Sequence, residues 1–216
     1  MKSIVINKTR YNIPTKWEDI TLKLFNEIRK LDEAKVDGKI QSDLKFSNHF
    51  LSILTGIPES SLLTLTPKEC EELYKPLSVI IASEMKPSKE KTIVIDKQAY
   101  AFCFNIDKIT QGQFIDLEGF TKEQNFWDVA HKICAVFLRP MSKKEYYIYM
   151  GKKMFRPKKV DENNLITEEY NFDSIEARSQ IFLNKLPMTY IYNCVSFFLD
   201  SKKNLEEISQ FCTPKQ

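Results

Sequence analysis

Residues 2–11 read KSIVINKTRY, and residues 91–100 read KTIVIDKQAY. The two stretches share Lys2/Lys91, Ile4/Ile93, Val5/Val94, Ile6/Ile95, Lys8/Lys97 and Tyr11/Tyr100, all at an offset of 89 residues. In each, a short apolar run meets a polar turn (Asn7–Arg10; Asp96–Ala99), and a second run starts at the matched tyrosine. That is the pattern of a β-hairpin. The register then continues without a gap: Ile20-Thr21 matches Ile109-Thr110, Phe25 matches Phe114, Glu27 matches Asp116, and Ile28 matches Leu117. After a short deletion, Ile53–Pro58 lines up with Cys134–Pro140. A register held across a strand pair and the following helix predicts duplication of one module. The expected fold is α+β and mainly helical. It has two tandem duplicated modules, each a β-hairpin followed by about three helices. The modules span 1–89 and 90–216, with the join near Met85–Glu90 and an insertion at 141–170 in the second.

Helix signals fill in each module. Thr110 and Gln113 make the S/T-x-x-E/Q box that opens a helix with Phe114, Leu117 and Phe120 on one face. Tyr11, Phe25, Tyr100 and Phe114 are expected to be buried where hairpin meets first helix. Phe46, Phe50, Ile53 and Leu54 share a face that ends at Gly56 and Pro58. Thr121 with Gln124 is read as the cap of the counterpart helix, which carries Trp127, Ala130, Cys134, Phe137 and Leu138 and stops before Pro140. Thr66-Pro67-Lys68-Glu69 opens a third helix, with Cys70, Leu73, Leu77, Ile80 and Ile81 as its stripe. In the second module Asp173 and Glu176 are read as capping the equivalent helix, with Ile181, Leu183 and Leu186. Ile191, Val195, Phe198 and Leu199 continue it beyond Pro187, and Leu205, Ile208 and Phe211 close the chain.

Composition narrows the chemistry. The 216 residues carry 32 Lys and Arg against 29 Asp and Glu, a net charge of +3, too balanced for a dedicated nucleic-acid binder. Five scattered glycines leave no Gly-rich phosphate loop. The two histidines, His49 and His131, lie in no local catalytic signature. His131 and Cys134 stand one helical turn apart, but no second Cys/His pair lies nearby, so they read as boundary and core residues rather than metal ligands. Glu69, Glu71 and Glu72 sit at a helix start, where they favour the macrodipole. An odd number of cysteines, five, without a CxxC, reads as reduced thiols in a cytosolic setting. The N-terminus turns polar too soon for a signal peptide, and the apolar stretch Met188–Leu199 is too short to span a bilayer, which takes about 20 residues. No cofactor, no metal, no catalytic residue and no membrane partner are expected.

The insertion is where charge separates. Arg139, Lys143, Lys144, Lys152, Lys153, Arg156, Lys158 and Lys159 face a single Glu145. The next stretch, 161–176, holds Asp161, Glu162, Glu168, Glu169, Asp173 and Glu176 with no Lys or Arg before Arg178. The β-prone run Tyr146–Tyr149 interrupts the basic part and reads as a strand, with Gly151 helping a turn. The basic part reads in three ways: a solvated loop, a nucleic-acid contact with stacking tyrosines, or a contact between copies in which plus meets minus head to tail. On the third reading the interaction residues are Lys143, Lys144, Lys152, Lys153, Arg156, Lys158 and Lys159, with Glu168, Glu169 and Asp173 as their partners.

Asp19-Ile20-Thr21, Ile109–Leu117, Ala135–Pro140 and Leu186-Pro187-Met188 resemble phrases in small structural and tail-assembly proteins of tailed phages, in particular crAss-like and related phages of Bacteroidetes. The Lys-, Ile-, Asn- and Phe-rich, Gly-poor composition is similar to that of such genomes. The resemblance implies a non-enzymatic virion protein, a ring component of the tail or head–tail connector. Such a protein acts by self-association and by binding other tail or portal-region proteins, around DNA that passes through the lumen without sequence-specific contact. It would be located in the virion, and in the host cytoplasm during assembly. The alternative it implies is a cytoplasmic tail assembly chaperone. The insertion at 141–170 is not explained by the resemblance.

Overall fold

The computed structural model describes residues 1–103, 109–122, 125–155 and 165–212. The fold is α+β and mainly helical, with two small antiparallel sheets among the described residues. The chain divides into two compact units. One is residues 1–86 together with Pro187–Thr189; the other is residues 87–186 together with the chain from Tyr190.

Each unit starts with a hairpin. In the first, β1 (Lys2–Ile6) pairs with β2 (Thr9–Ile13), Ile4 lies opposite Tyr11, and Asn7 and Lys8 turn the chain with φ of 48° and 65°. In the second, β3 (Thr92–Ile95) pairs with β4 (Gln98–Phe102), Ile93 lies opposite Tyr100, and Asp96 and Lys97 turn the chain with φ of 50° and 66°. Two successive positive φ values make a type I′ turn, whose twist matches that of the flanking strands. Asn and Asp enter this region at low cost through local hydrogen bonding, whereas Lys has no such compensation.

In the first unit, the Thr15 N–H and hydroxyl donate to the Asp19 carboxylate at 3.0 and 3.1 Å, fixing the exit from β2. Thr21 then caps α1 (Leu22–Val36), its hydroxyl accepting from the Leu24 N–H. Ser42 caps α2 (Asp43–Thr55), which ends at Gly56 with φ of 70°, a left-handed position that suits glycine. The short α3 (Glu59–Leu62) leads to α4 (Pro67–Ala82), opened by the full Thr66/Glu69 capping box with Pro67 in the first turn. The core is apolar and closed: Ile13, Leu22, Leu51, Ile57, Leu62 and Leu77 are at most 2% exposed. Each such side chain contributes about 1.5–3 kcal/mol by leaving water. The returning segment completes the unit, with the Met188 N–H donating to the Ile20 carbonyl at 2.8 Å.

In the second unit, Thr110 and Gln113 form the capping box that opens α5 (Gln111–Thr121). The central element is α6 (Phe126–Phe137), in which every residue from Val129 to Phe137 except Lys132 is buried. It runs directly into β5 (Leu138–Met141), which pairs antiparallel with β4. Pro140 falls opposite Tyr100, whose own N–H and C=O face β3, so the missing proline N–H costs the ladder nothing. The helices α7 (Lys143–Phe155), α8 (Ile175–Lys185) and α9 (Met188–Cys212) follow. Phe182 of α8 meets Tyr100 edge-on at 5.0 Å, and Arg178 donates through Nε to the Ala135 carbonyl at 3.0 Å. Burial lowers the pKa of that guanidinium.

Several expectations are corrected. Tyr146–Tyr149 is helix, not strand, because it lies inside α7. Phe114 is 42% exposed; the residues that α5 buries are Gln113 and Leu117, and Phe114 is one helical step of 100° to the side. Thr121 is the last residue of α5 rather than a cap, and Asn125 caps α6 through the Trp127 N–H; Gln124 lies outside the described residues. Asp173 lies in a 3-10 turn before α8, and Asn171 caps that turn, its side chain accepting from the Asp173 N–H. Leu138, read as the last residue on the apolar face of that helix, instead opens a third strand, Leu138–Met141. Ile81 and Leu199, read as stripe residues, are 63% and 51% exposed.

Candidate interaction surface

Helix α7 forms in spite of its β-prone composition, and its inner face explains why. Ser142 precedes it, with its hydroxyl accepting from the Glu145 N–H at 3.2 Å. Tyr146 and Tyr149, three residues apart, then fall on one face. Tyr149 is 4% exposed and packs with Ala99, Ala101 and Met141, and Tyr146 packs against the same group. The small alanines of β4 make room for the rings. Tertiary burial therefore overrides local preference.

The outer face is unusual for a surface helix. Tyr147, Met150 and Met154 follow the i, i+3, i+7 spacing of one helical face and are 70%, 41% and 73% exposed. Beside them, Ile148 and Phe155 are 40% and 78% exposed. Lys143, Lys144 and Lys152 are exposed on the same helix. Lys143 and Lys144 stand in the first turn, where the macrodipole disfavours cations by about 0.3–1 kcal/mol each. They do not serve the stability of α7. Lys153 behaves differently. Its ammonium is bonded to the Glu90 carboxylate, which raises its pKa, and lies 5.7 Å from the Tyr149 ring centre. Lys153 therefore ties α7 to its own unit. Arg156, Lys158 and Lys159 lie outside the described residues.

The acidic partners sit on an anchored strip, residues 165–173. Its inward residues hold it. Leu165 packs on the Ala99, Ala101, Met141 and Tyr149 group, and the Thr167 hydroxyl and Cys103 Sγ are 3.4 Å apart. The Glu168 N–H donates to the Pro140 carbonyl at 2.9 Å, so the strip runs along the outer edge of β5. Tyr170 donates its hydroxyl to the Asp116 carboxylate, and burial together with that bond pushes the phenol pKa well up. The outward residues are Ile166, Glu168, Glu169, Phe172 and Asp173, with Ile166 and Phe172 65% and 59% exposed. Among the described residues, neither Lys143, Lys144 and Lys152 nor Glu168, Glu169 and Asp173 form an ion pair.

The structure thus brings the basic helix and the acidic strip together over one apolar cluster. The exposed apolar residues within both blocks escaped the sequence reading. The spacing of Tyr147, Met150 and Met154 carried the signal, but a strand assignment for Tyr146–Tyr149 hid it.

The remaining candidates fall into place as parts of the fold. His131 and Cys134 are buried on α6, and Cys134 lies against the fully buried Cys194, whose thiol pKa burial pushes up. Among the described residues no three His, Cys, Asp or Glu side chains cluster as metal ligands, and no helix is long and apolar enough to cross a membrane. Glu69 closes its capping box, and Glu71 and Glu72 pair with Lys75. In the first unit, a groove of about 560 Å³ is lined by Phe25, Ile28, Phe46, Phe50, Tyr74 and Ile81, together with Arg29 and Asp32. No protein-family model, curated protein or solved structure matches the chain.

Proposed function

We propose that this chain is a non-enzymatic structural protein of a tailed phage, a ring component of the tail or head–tail connector. It works by binding copies of itself and adjacent tail or portal-region proteins. The observation that carries this reading is the outer face of α7. Five large apolar side chains stand exposed on thirteen residues, beside Lys143, Lys144 and Lys152, which form no ion pair among the described residues. Surfaces of that kind are kept for contact with another macromolecule. The phage assignment rests on the sequence resemblance.

The two units are, on the same reading, copies of one duplicated module. The offset of 89 that relates the sequences also relates the turns Asn7-Lys8 and Asp96-Lys97, the pairs Ile4/Tyr11 and Ile93/Tyr100, and the caps Thr21 and Thr110. What the second copy has gained is β5, α7 and the strip, which cover Ala99 and Ala101; the matching Arg10 and Asn12 of the first copy are exposed.

One feature favours the second reading, a tail assembly chaperone. Met150 and Met154 are flexible, polarizable side chains suited to surfaces that accept several partners. Mass spectrometry of purified particles separates the two. A ring component is present at fixed copy number, and a chaperone is absent. Absence from both particles and assembly intermediates would remove the phage reading altogether.

A further inference from the structure

We infer that the outer face of α7 and the acidic strip form one self-complementary patch, which docks on the same patch of a second copy of this chain across a twofold axis. The inference rests on the reading of the chain as an assembly protein and deepens it by naming the partner and the symmetry.

Three observations carry it. The first is position. Tyr146 of α7 and Leu165 of the strip pack on the same Ala99, Ala101, Met141 and Tyr149 group, so the two blocks are neighbours in one unit. When plus and minus lie side by side on one patch, a twofold rotation sets each against its opposite and satisfies both contacts at once. A head-to-tail ring needs the complementary patches on separated surfaces. The second observation is length. The thirteen residues of α7 rise about 20 Å. The six residues from Ile166 to Asn171, extended, span at most about 20 Å as well. The helix and the Ile166–Asn171 part of the strip are therefore of matching length. The third observation is chemical match. The helix offers Tyr147, Met150 and Met154 with Lys143, Lys144 and Lys152; the strip offers Ile166 and Phe172 with Glu168, Glu169 and Asp173. Both faces interleave apolar and charged residues, and the charges are opposite in sign, so apolar side chains have apolar partners and lysines have acids, the complementarity of a specific protein interface.

A twofold contact closes at two copies. A ring built from this chain would then be built from dimers and would need a second contact elsewhere.

The full-length chain tests this by native mass spectrometry and sedimentation equilibrium across the micromolar range. The mass should rise from 25.4 kDa to twice that value and stop. Reversing Lys143, Lys144 and Lys152 to Glu should weaken association at least tenfold. The first two changes place acids where the helix dipole favours them, so the fold is kept, and circular dichroism checks it. Reversing Glu168, Glu169 and Asp173 to Lys should have the same effect. Mixing the two variants should restore a dimer containing one of each. A wild-type chain that stays monomeric overturns the inference. So does a dimer indifferent to both reversals, or an assembly beyond two copies that either reversal dissolves, the mark of a head-to-tail contact. Particle composition is read separately, so a failed dimer and a failed virion assignment are distinguishable.

Discussion

Lys8 and Lys97 hold the second central position of two type I′ turns, at φ of 65° and 66°. A side chain with a Cβ pays about 1–2 kcal/mol there, and glycine pays mainly through a freer unfolded chain. Lys97→Gly should therefore raise stability by about 0.5–1 kcal/mol, measured by urea unfolding. A loss would mean that the lysine side chain contributes a contact the turn needs. Phe114 and Phe182 make a sharper pair. The first is 42% exposed, and the second is fully buried against Tyr100. Phe182→Ala should cost about 3–5 kcal/mol and Phe114→Ala under about 1 kcal/mol. Equal losses would show that the exposed ring of Phe114 is covered in solution.

Elements that announce themselves in this chain do so through their ends. The caps at Thr66 and Thr110, the stop at Gly56 and both hairpin turns depend on residues a few positions apart, so they can be read from the string of letters. Helix α7 depends instead on Ala99 and Ala101, more than forty residues away, which accept its tyrosines. Nothing within Lys143–Phe155 reports that. The same limit applies to the surface: its lysines and acids were legible as charge, while the apolar residues among them gained meaning only once the helical face was known. The turn between β2 and α1 adds a pH dependence. Burial alone would raise the pKa of Asp19. Hydrogen bonds from the Thr15 N–H, the chain's amino group and the Thr15 hydroxyl outweigh it and hold the carboxyl below the usual range. A depressed folded pKa means stability that is present above the unfolded value near 3.9 and lost as pH falls through the folded one. Wild type should thus exceed Asp19→Asn in stability at neutral pH, and the gap should close in acid. A gap that persists unchanged below about pH 3 would rule out this account.

At the scale of the whole molecule, the two tryptophans offer one reporter per unit, Trp17 in the first and Trp127 in the second. Pro187–Thr189 belongs to the first unit, yet lies between Leu186 and Tyr190 of the second. Unfolding the second unit frees those three residues and withdraws the Met188 bond to Ile20. In single-tryptophan variants, Trp17→Phe and Trp127→Phe, the fluorescence of Trp17 should therefore change at or before the urea concentration that changes Trp127. Phe182→Ala should move both transitions. A Trp17 signal that outlasts the Trp127 signal would show the first unit standing without its returning segment.

The same three residues set a clock on synthesis. The ribosome releases Lys86 long before it reaches Thr189, 103 residues later. At about 5–20 residues per second that interval is roughly 5–20 s. Throughout it, Ile20 has no Met188 to accept from, and the nascent first unit waits unfinished outside the exit tunnel. The segment that completes the first unit is thus made only after most of the second unit has been synthesised.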